Sequence, residues 1–310
     1  GVRLGVLDVG SNTVHLVAVD AISGGKPTPM SDWKTPLRLV EQLDDDGAIH
    51  AKGRKKLISA VGEAAELGEK LGCAEFLPIA TSAVRSATNA GEVLDEVEKE
   101  TGVRLQILSG EEEARLTFLA VRRWYGWSAG RITNLDIGGG SLELSSGTDE
   151  EPDVAFSLDL GAGRLTYNWF DTDPPGKKKV NLLRDYIDAE LVEATEQMKA
   201  MGPAGLAVGT SKTFRTLARL TGAAPSSAGP YVKRTLTAPG LRQIINFISR
   251  MTASDRADLE GVSSDRSHQI VAGALVAEAS MRALGIEKLE ICPWALREGV
   301  ILRRIDKGLE

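Results

Sequence analysis

The chain has 310 residues, more than one hydrophobic core usually organises, so two domains are expected. Its formal net charge of −6 excludes a general nucleic-acid binder, and any polyanionic ligand must therefore find a locally basic surface. Cys73 and Cys292 stand far apart with no metal-type spacing, no apolar run is long enough to span a bilayer, and no secretory leader precedes the strand pattern that opens at Val2; a cytoplasmic protein with reduced thiols and no membrane partner is expected.

Residues 4–9 and 14–19 read as two strands joined by the polar turn Gly10-Ser11-Asn12-Thr13. Residues 55–71 place Leu57, Ile58, Val61, Ala64, Ala65 and Leu67 near helical spacing. A short strand at 76–80 precedes Thr81 and Ser82, which can cap a helix. Residues 93–100 are helical and closed by Gly102, and 105–108 form a strand. Ser109 then caps a Glu-rich helix that reaches about Trp124.

A polar joint at 125–130 follows, and the pattern restarts with strands at 132–137 and 142–145 around a glycine loop. Pro174, Pro175, Gly176 and the lysines Lys177 to Lys179 read as a turn before a helix over 182–201. A strand at 206–208 leads into the small-residue loop Gly209-Thr210-Ser211. Helices over 241–251 and 270–284, a strand at 289–291, and Pro293 in the first turn of a last helix complete the series. Strands alternating with helices specify an α/β protein. The expected division is 1–125 and 126–310, with the last helix, about 294–307, free to pack back on the first lobe.

The chain also repeats itself. Leu7-Asp8-Val9-Gly10-Ser11-Asn12-Thr13 aligns with Leu135-Asp136-Ile137-Gly138-Gly139-Gly140-Ser141, 128 residues later. Each copy is apolar-Asp-apolar-Gly, two small residues and a hydroxyl, set in a tight strand–loop–strand. Two similar lobes from a duplication are expected. Glycine lets backbone N–H groups approach a ligand, and successive N–H groups with small hydroxyls cradle phosphate oxygens. Ser11, Asn12, Thr13, Gly138, Gly139, Gly140 and Ser141 are therefore candidate phosphate contacts. An Asp at a strand end can hold Mg²⁺, which makes Asp136 and Asp8 metal candidates; turn formation is the plain alternative for both. Gly209, Thr210 and Ser211, ahead of a helix carrying Lys212 and Arg215, form a third candidate anion site.

These loops, with Ala80-Thr81-Ser82-Ala83-Val84-Arg85, Ser109-Gly110-Glu111-Glu112-Glu113-Ala114-Arg115, Leu142-Glu143 after the second loop, and Ala295-Leu296-Arg297-Glu298-Gly299, resemble the exopolyphosphatase / guanosine pentaphosphate phosphohydrolase family. The resemblance covers nearly the whole chain and is to short, two-domain members. It implies two actin-like (ribonuclease H-like) lobes of the acetate/sugar kinase–actin superfamily around an interlobe cleft. It also implies a Mg²⁺-dependent enzyme, with Mn²⁺ as a substitute, that removes terminal phosphate from inorganic polyphosphate. Thr13 stands where many members have Ser, and Leu142 where Thr is common.

The match assigns Glu113 as the general base and Glu143 as a second functional carboxylate, on metal or water. Glu143 shares a strand face with Ser141. Glu111 and Glu112 are expected only to complement the helix dipole. Arg85, in the first turn after a strand, can take a phosphate bidentately, the alternative being a surface ion pair. His15 is expected to be structural. Lys177–Lys179, Arg122–Arg123 and Arg303–Arg304 are basic clusters, any of which can guide an anionic chain or lie as solvated surface. Guanosine penta- or tetraphosphate as the ligand, phosphoryl transfer to an acceptor, and non-catalytic sensing are the rival readings. Family members often form homodimers.

Overall fold

The computed structural model describes residues 1–309. The chain divides into two units, one holding Gly1–Leu116 together with residues from Leu296 onward, the other Thr117–Ala295.

In the first unit, β1 (Val2–Val9) and β2 (Thr13–Ala21) form a hairpin, and β3 (Thr28–Pro36) pairs antiparallel to β2. The helix α1 (Ala51–Lys70) leads to β4 (Glu75–Ala80), parallel to β1. Then come the single turn α2 (Ser82–Arg85), α3 (Ala90–Thr101), the short β5 (Gln106–Ile107) and α4 (Gly110–Tyr125), inside which the division between units falls. The strand order is β3-β2-β1-β4-β5. The sequence reading missed β3, whose polar, largely exposed residues carry no apolar alternation.

In the second unit, β6 (Ile132–Ile137), β7 (Leu142–Gly147) and β8 (Val154–Leu158) form a meander, followed by α5 (Ala162–Trp169) and α6 (Lys177–Ala200). β9 (Leu206–Thr210) lies parallel to β6 and passes directly into α7 (Ser211–Leu220). β10 (Thr235–Thr237), α8 (Ala238–Ile248), the short α9 (Ala253–Arg256), α10 (Ile270–Leu284) and β11 (Lys288–Ile291) complete it; α11 (Leu296–Asp306) returns to the first unit.

The second sheet, read from its β8 edge, runs β8-β7-β6-β9-β11, with β10 added outside. That is the first unit's order with the same sense: an antiparallel three-stranded meander, then two parallel strands. The duplication expected from the two echoing loops is thus a duplication of topology, and each loop is the first hairpin of its unit. This is the actin-like, ribonuclease H-like lobe.

Three expectations are corrected. Lys177–Lys179 form the first turn of α6 rather than a turn ahead of it, and Gly176, at φ 84°, makes the break. Pro293 lies before α11, which starts at Leu296. Gly209-Thr210-Ser211 is no loop, because strand runs straight into helix, with Ser211 at φ 82° making the turn.

Alternation along the central strands sorts core from site. In β1, Leu7 and Val9 face one cluster with α1 and α3, while Leu4 and Val6 face another with Val300, Ile301 and Ile305 of α11. Asp8 therefore continues the α11 face. In β6 and β7, Leu135, Ile137, Leu142 and Leu144 enter the large core with α6 and α10. Asp136 and Glu143 point the other way. On that face Ile132 and Val208 pack with Phe118 and Val121 of α4.

Candidate active site

Each echoing loop is closed in the same way. Gly10 N–H donates to Thr13 O at 3.0 Å, and Gly138 N–H donates to Ser141 O at 2.9 Å. In the first unit the loop carbonyls are tied back: Leu37 and Arg38 donate to Asn12 O, and Leu39 to Ser11 O. In the second, Ala162 donates to Gly138 O, Arg164 N–H to Gly139 O, and Arg164 Nε to Gly140 O at 2.8 Å. With the carbonyls fixed, the N–H groups of Ser11, Asn12, Gly139 and Gly140 make no backbone hydrogen bond among the described residues. Those N–H groups are left for solvent or a ligand, as a phosphate-binding loop requires. Gly161 permits this arrangement in the second unit, since a Cβ there would lie 2.3 Å from the Gly140 carbonyl carbon.

Around the first loop the structure brings two cations to two carboxylates. Glu113, in the first turn of α4 and 5% exposed, has Oε2 3.3 Å from Arg85 Nη1, which also donates to Leu108 O at 2.7 Å. The guanidinium offsets the desolvation of a buried carboxylate and fixes its direction. The other two glutamates are used differently. Glu112 and Ser109 form a reciprocal capping box at 3.1 Å each way, and Glu111 pairs with Arg115.

Asp8 has Oδ2 3.5 Å from Arg297 Nη1. Arg297 belongs to the Ala295–Gly299 motif, and nothing in the sequence ties it to Asp8, from which 289 residues separate it. Helical spacing places it, since Arg297, Ile301 and Ile305 share the α11 face that packs on β1. His15, opposite Asp8 on β2, has Nε2 2.8 Å from Asp32 Oδ2. Burial and the Arg297 charge push its pKa down to about 4 against the pull of Asp32, so it is neutral at neutral pH and holds a hydrogen bond rather than a charge.

In the second unit the carboxylates stand in a row. Thr210, Asp136, Glu143 and Ser157 are register partners on the adjacent strands β9, β6, β7 and β8. Thr210 Oγ1 donates to Asp136 Oδ2 at 2.7 Å, Ser157 Oγ to Glu143 Oε2 at 2.5 Å, and Ser141 Oγ to Glu143 Oε1 at 3.2 Å. Ser211 Oγ donates to Ile137 O at 2.7 Å. Gly209 lies within β9, where a Cβ would meet the Phe214 ring at 2.8 Å.

Lys177 and Lys178 lie exposed at the start of α6, whereas the arginine clusters are engaged elsewhere. Arg122 is buried among the carbonyls of Gly126, Gly130, Gly147 and Asp149, Arg123 pairs with Glu150, and Arg304 with Glu75. A basic surface is instead assembled from separated segments. A cavity of about 910 Å³ beside α7 is lined by Lys212, Arg215, Arg219 and Arg234, of which Arg219 pairs with Glu260 and Arg234 donates to the carbonyls of Ala224, Pro225, Gly229 and Val232.

Two ribonuclease H-like lobes, each with a small-residue loop and an acidic strand end, are suited to holding phosphate, and the family decides what is done with it. The chain belongs to the Ppx/GppA phosphatase family, whose description matches residues 18–308. It is 68% identical over 304 residues to Exopolyphosphatase 1 of Mycobacterium tuberculosis, covering 98% of this chain and 88% of that one. It is 27% identical over 295 residues to a guanosine-5'-triphosphate,3'-diphosphate pyrophosphatase of Aeromonas hydrophila, covering 95% of this chain and 58% of that one. The crystal structure of an exopolyphosphatase from Cytophaga hutchinsonii superposes with a TM-score of 0.89 at 22% identity, covering 98% of each chain, and so shares the fold. Among the described residues no helix is long and apolar enough to cross a membrane.

Proposed function

We propose that the chain is an exopolyphosphatase, which releases orthophosphate from the end of an inorganic polyphosphate. The observation that carries the substrate is the 68% identity to a relative of that name, against 27% to the guanosine nucleotide pyrophosphatase. The loops and the basic cavity beside α7 support it, because an acidic protein needs local donors and cations to hold a polyanion.

Glu113 is the general base. It orients a water and accepts its proton as the water oxygen bonds to the terminal phosphorus in line; the bridging P–O bond breaks, and the shortened chain leaves with the electron pair. Arg85 keeps the carboxylate aimed. In each unit the loop N–H groups donate to phosphate oxygens, where their fixed dipoles need no reorganisation as charge builds.

The donor set of the second unit fits a hard divalent cation. Asp136 and Glu143 face each other across β6 and β7, and the hydroxyls of Thr210, Ser141 and Ser157 donate to them. Among the described residues no group of three or more His, Cys, Asp or Glu could hold a metal, so the protein would supply a carboxylate pair and leave other positions to water and phosphate, as Mg²⁺ prefers. Asp136 and Glu143 would hold Mg²⁺, or Mn²⁺ in its place. Bound there, the ion would neutralise phosphate charge.

Orthophosphate release from short polyphosphate, long polyphosphate and guanosine pentaphosphate, each with and without Mg²⁺, tests this. Metal-dependent release chiefly from polyphosphate supports it. Release chiefly from the nucleotide replaces the substrate, and binding without release replaces catalysis with sensing.

A further inference from the structure

We infer that Ser157 is a positioning residue for divalent metal: its hydroxyl, on edge strand β8, sets the carboxylate of Glu143 for the cation, as Thr210 on β9 sets that of Asp136. The inference rests on the proposed metal role of the Asp136–Glu143 pair.

The argument comes from the row across the sheet. Paired residues on antiparallel strands hold their Cβ atoms roughly 5 Å apart, so two carboxylates at such a pair repel one another unless a cation lies between them. A lone glutamate side chain answers that repulsion by rotating away. Here both anions are held from outside the pair. Ser157 is the register partner of Glu143 on the side away from Asp136, and its hydroxyl donates to Oε2 at 2.5 Å. Thr210 is the register partner of Asp136 on the side away from Glu143, and donates to Oδ2 at 2.7 Å. Asn134 Nδ2 lies 3.5 Å from Thr210 Oγ1 on its other side, which directs the Thr210 proton toward Asp136.

A hydroxyl has one proton to give; Thr210 Oγ1 also lies 3.4 Å from Leu135 O, but its 2.7 Å contact to Asp136 is the shorter, and the Ser157 contact is to Glu143. The order hydroxyl, carboxylate, carboxylate, hydroxyl is therefore a clamp that pins two like charges side by side. Each carboxylate oxygen has about two acceptor directions, so a hydroxyl that donates to one oxygen orients the group without using up its acceptor capacity. Outer partners of this kind are worth about 10- to 100-fold in metal affinity. Ser157 itself has no notable motif around it and lies 14 residues from Glu143, so strand pairing alone brings it to the site.

The test is Mn²⁺ binding to the whole chain, followed by the electron paramagnetic resonance of free Mn²⁺, in the wild type and in Ser157→Ala, Ser157→Thr, Thr210→Val and Glu143→Gln. Thermal melting is recorded for each. We expect Ser157→Ala and Thr210→Val to raise the Mn²⁺ Kd about tenfold or more. Ser157→Thr keeps a hydroxyl and should bind within about twofold of wild type. Melting of the Ser157 variants should stay near wild type, which separates positioning from folding. If Glu143→Gln weakens Mn²⁺ while Ser157→Ala does not, the clamp is wrong and the metal pair stands. If Glu143→Gln leaves Mn²⁺ affinity unchanged, the metal assignment falls and the clamp with it.

Discussion

Arg297 and Asp8, at opposite ends of the chain, meet with Nη1 and Oδ2 3.5 Å apart, and the charge that reaches Asp8 also reaches His15 across the hairpin. Replacing Arg297 with Gln should raise the His15 pKa from about 4 toward its ordinary 6.5, without restoring it fully, since burial is the larger cause. Imidazole proton shifts followed by NMR across pH 3–8 check this. An unmoved His15 would mean that the Arg297 charge does not reach the ring.

The same depression sets a pH dependence of stability. His15 has a lower pKa folded than unfolded, so between about 6.5 and about 4 the unfolded chain binds the extra proton. Stability should therefore fall as pH drops through that window and level off, for this group, below it. The loss is on the order of 3 kcal/mol at most. His15→Asn should flatten that part of the curve, measured by urea unfolding at pH 7 and at pH 4.5.

Glu113→Gln keeps the shape of the side chain and an oxygen that can accept from Arg85, but it cannot take a proton. Turnover should fall by about 10²- to 10⁴-fold with substrate affinity and melting temperature little changed. A KM that rises while kcat is preserved would instead make Glu113 a binding residue.

Gly299 lies where α11 meets α4 within the first unit, and a Cβ there would stand 2.0 Å from Leu116 O, a backbone atom that cannot swing aside. Gly299→Ala should cost about 2 kcal/mol or more in urea unfolding. It should also disturb Arg297, which is anchored in the same helix.

Arg122 is 1% exposed and donates to four backbone carbonyls in the segments 126–130 and 147–149. Arg122→Met fills the volume but leaves those carbonyls without their donor, at about 1–3 kcal/mol for each one left dry. We expect a loss of several kcal/mol in unfolding experiments, and lysine, with fewer donors and no fork, should recover only part of it.

The sequence by itself determined the local chemistry. The two loops, their duplication, the αL glycine at Gly102 and the capping box at Ser109 are all written in consecutive residues, because turns and caps are built by neighbours in the chain. Core strands such as β6 and helices such as α10 were legible from apolar patterning. The polar strand β3 was not, since its place in the sheet comes from pairing with β2 rather than from burial. Tertiary structure alone decided which partners the charged residues meet. The separation of Glu113 from Glu111 and Glu112 was already implied by the family resemblance; the structure supplied the partners, Arg85 for Glu113, Arg115 for Glu111 and the Ser109 cap for Glu112. It made Arg122 a loop staple where sequence showed only a basic pair, and it brought Ser157 and Arg297 to carboxylates that no spacing connects. The physical reason is that a charge has no periodicity. Its role depends on which opposite charge, carbonyl or hydroxyl the folded backbone carries to within about 3 Å.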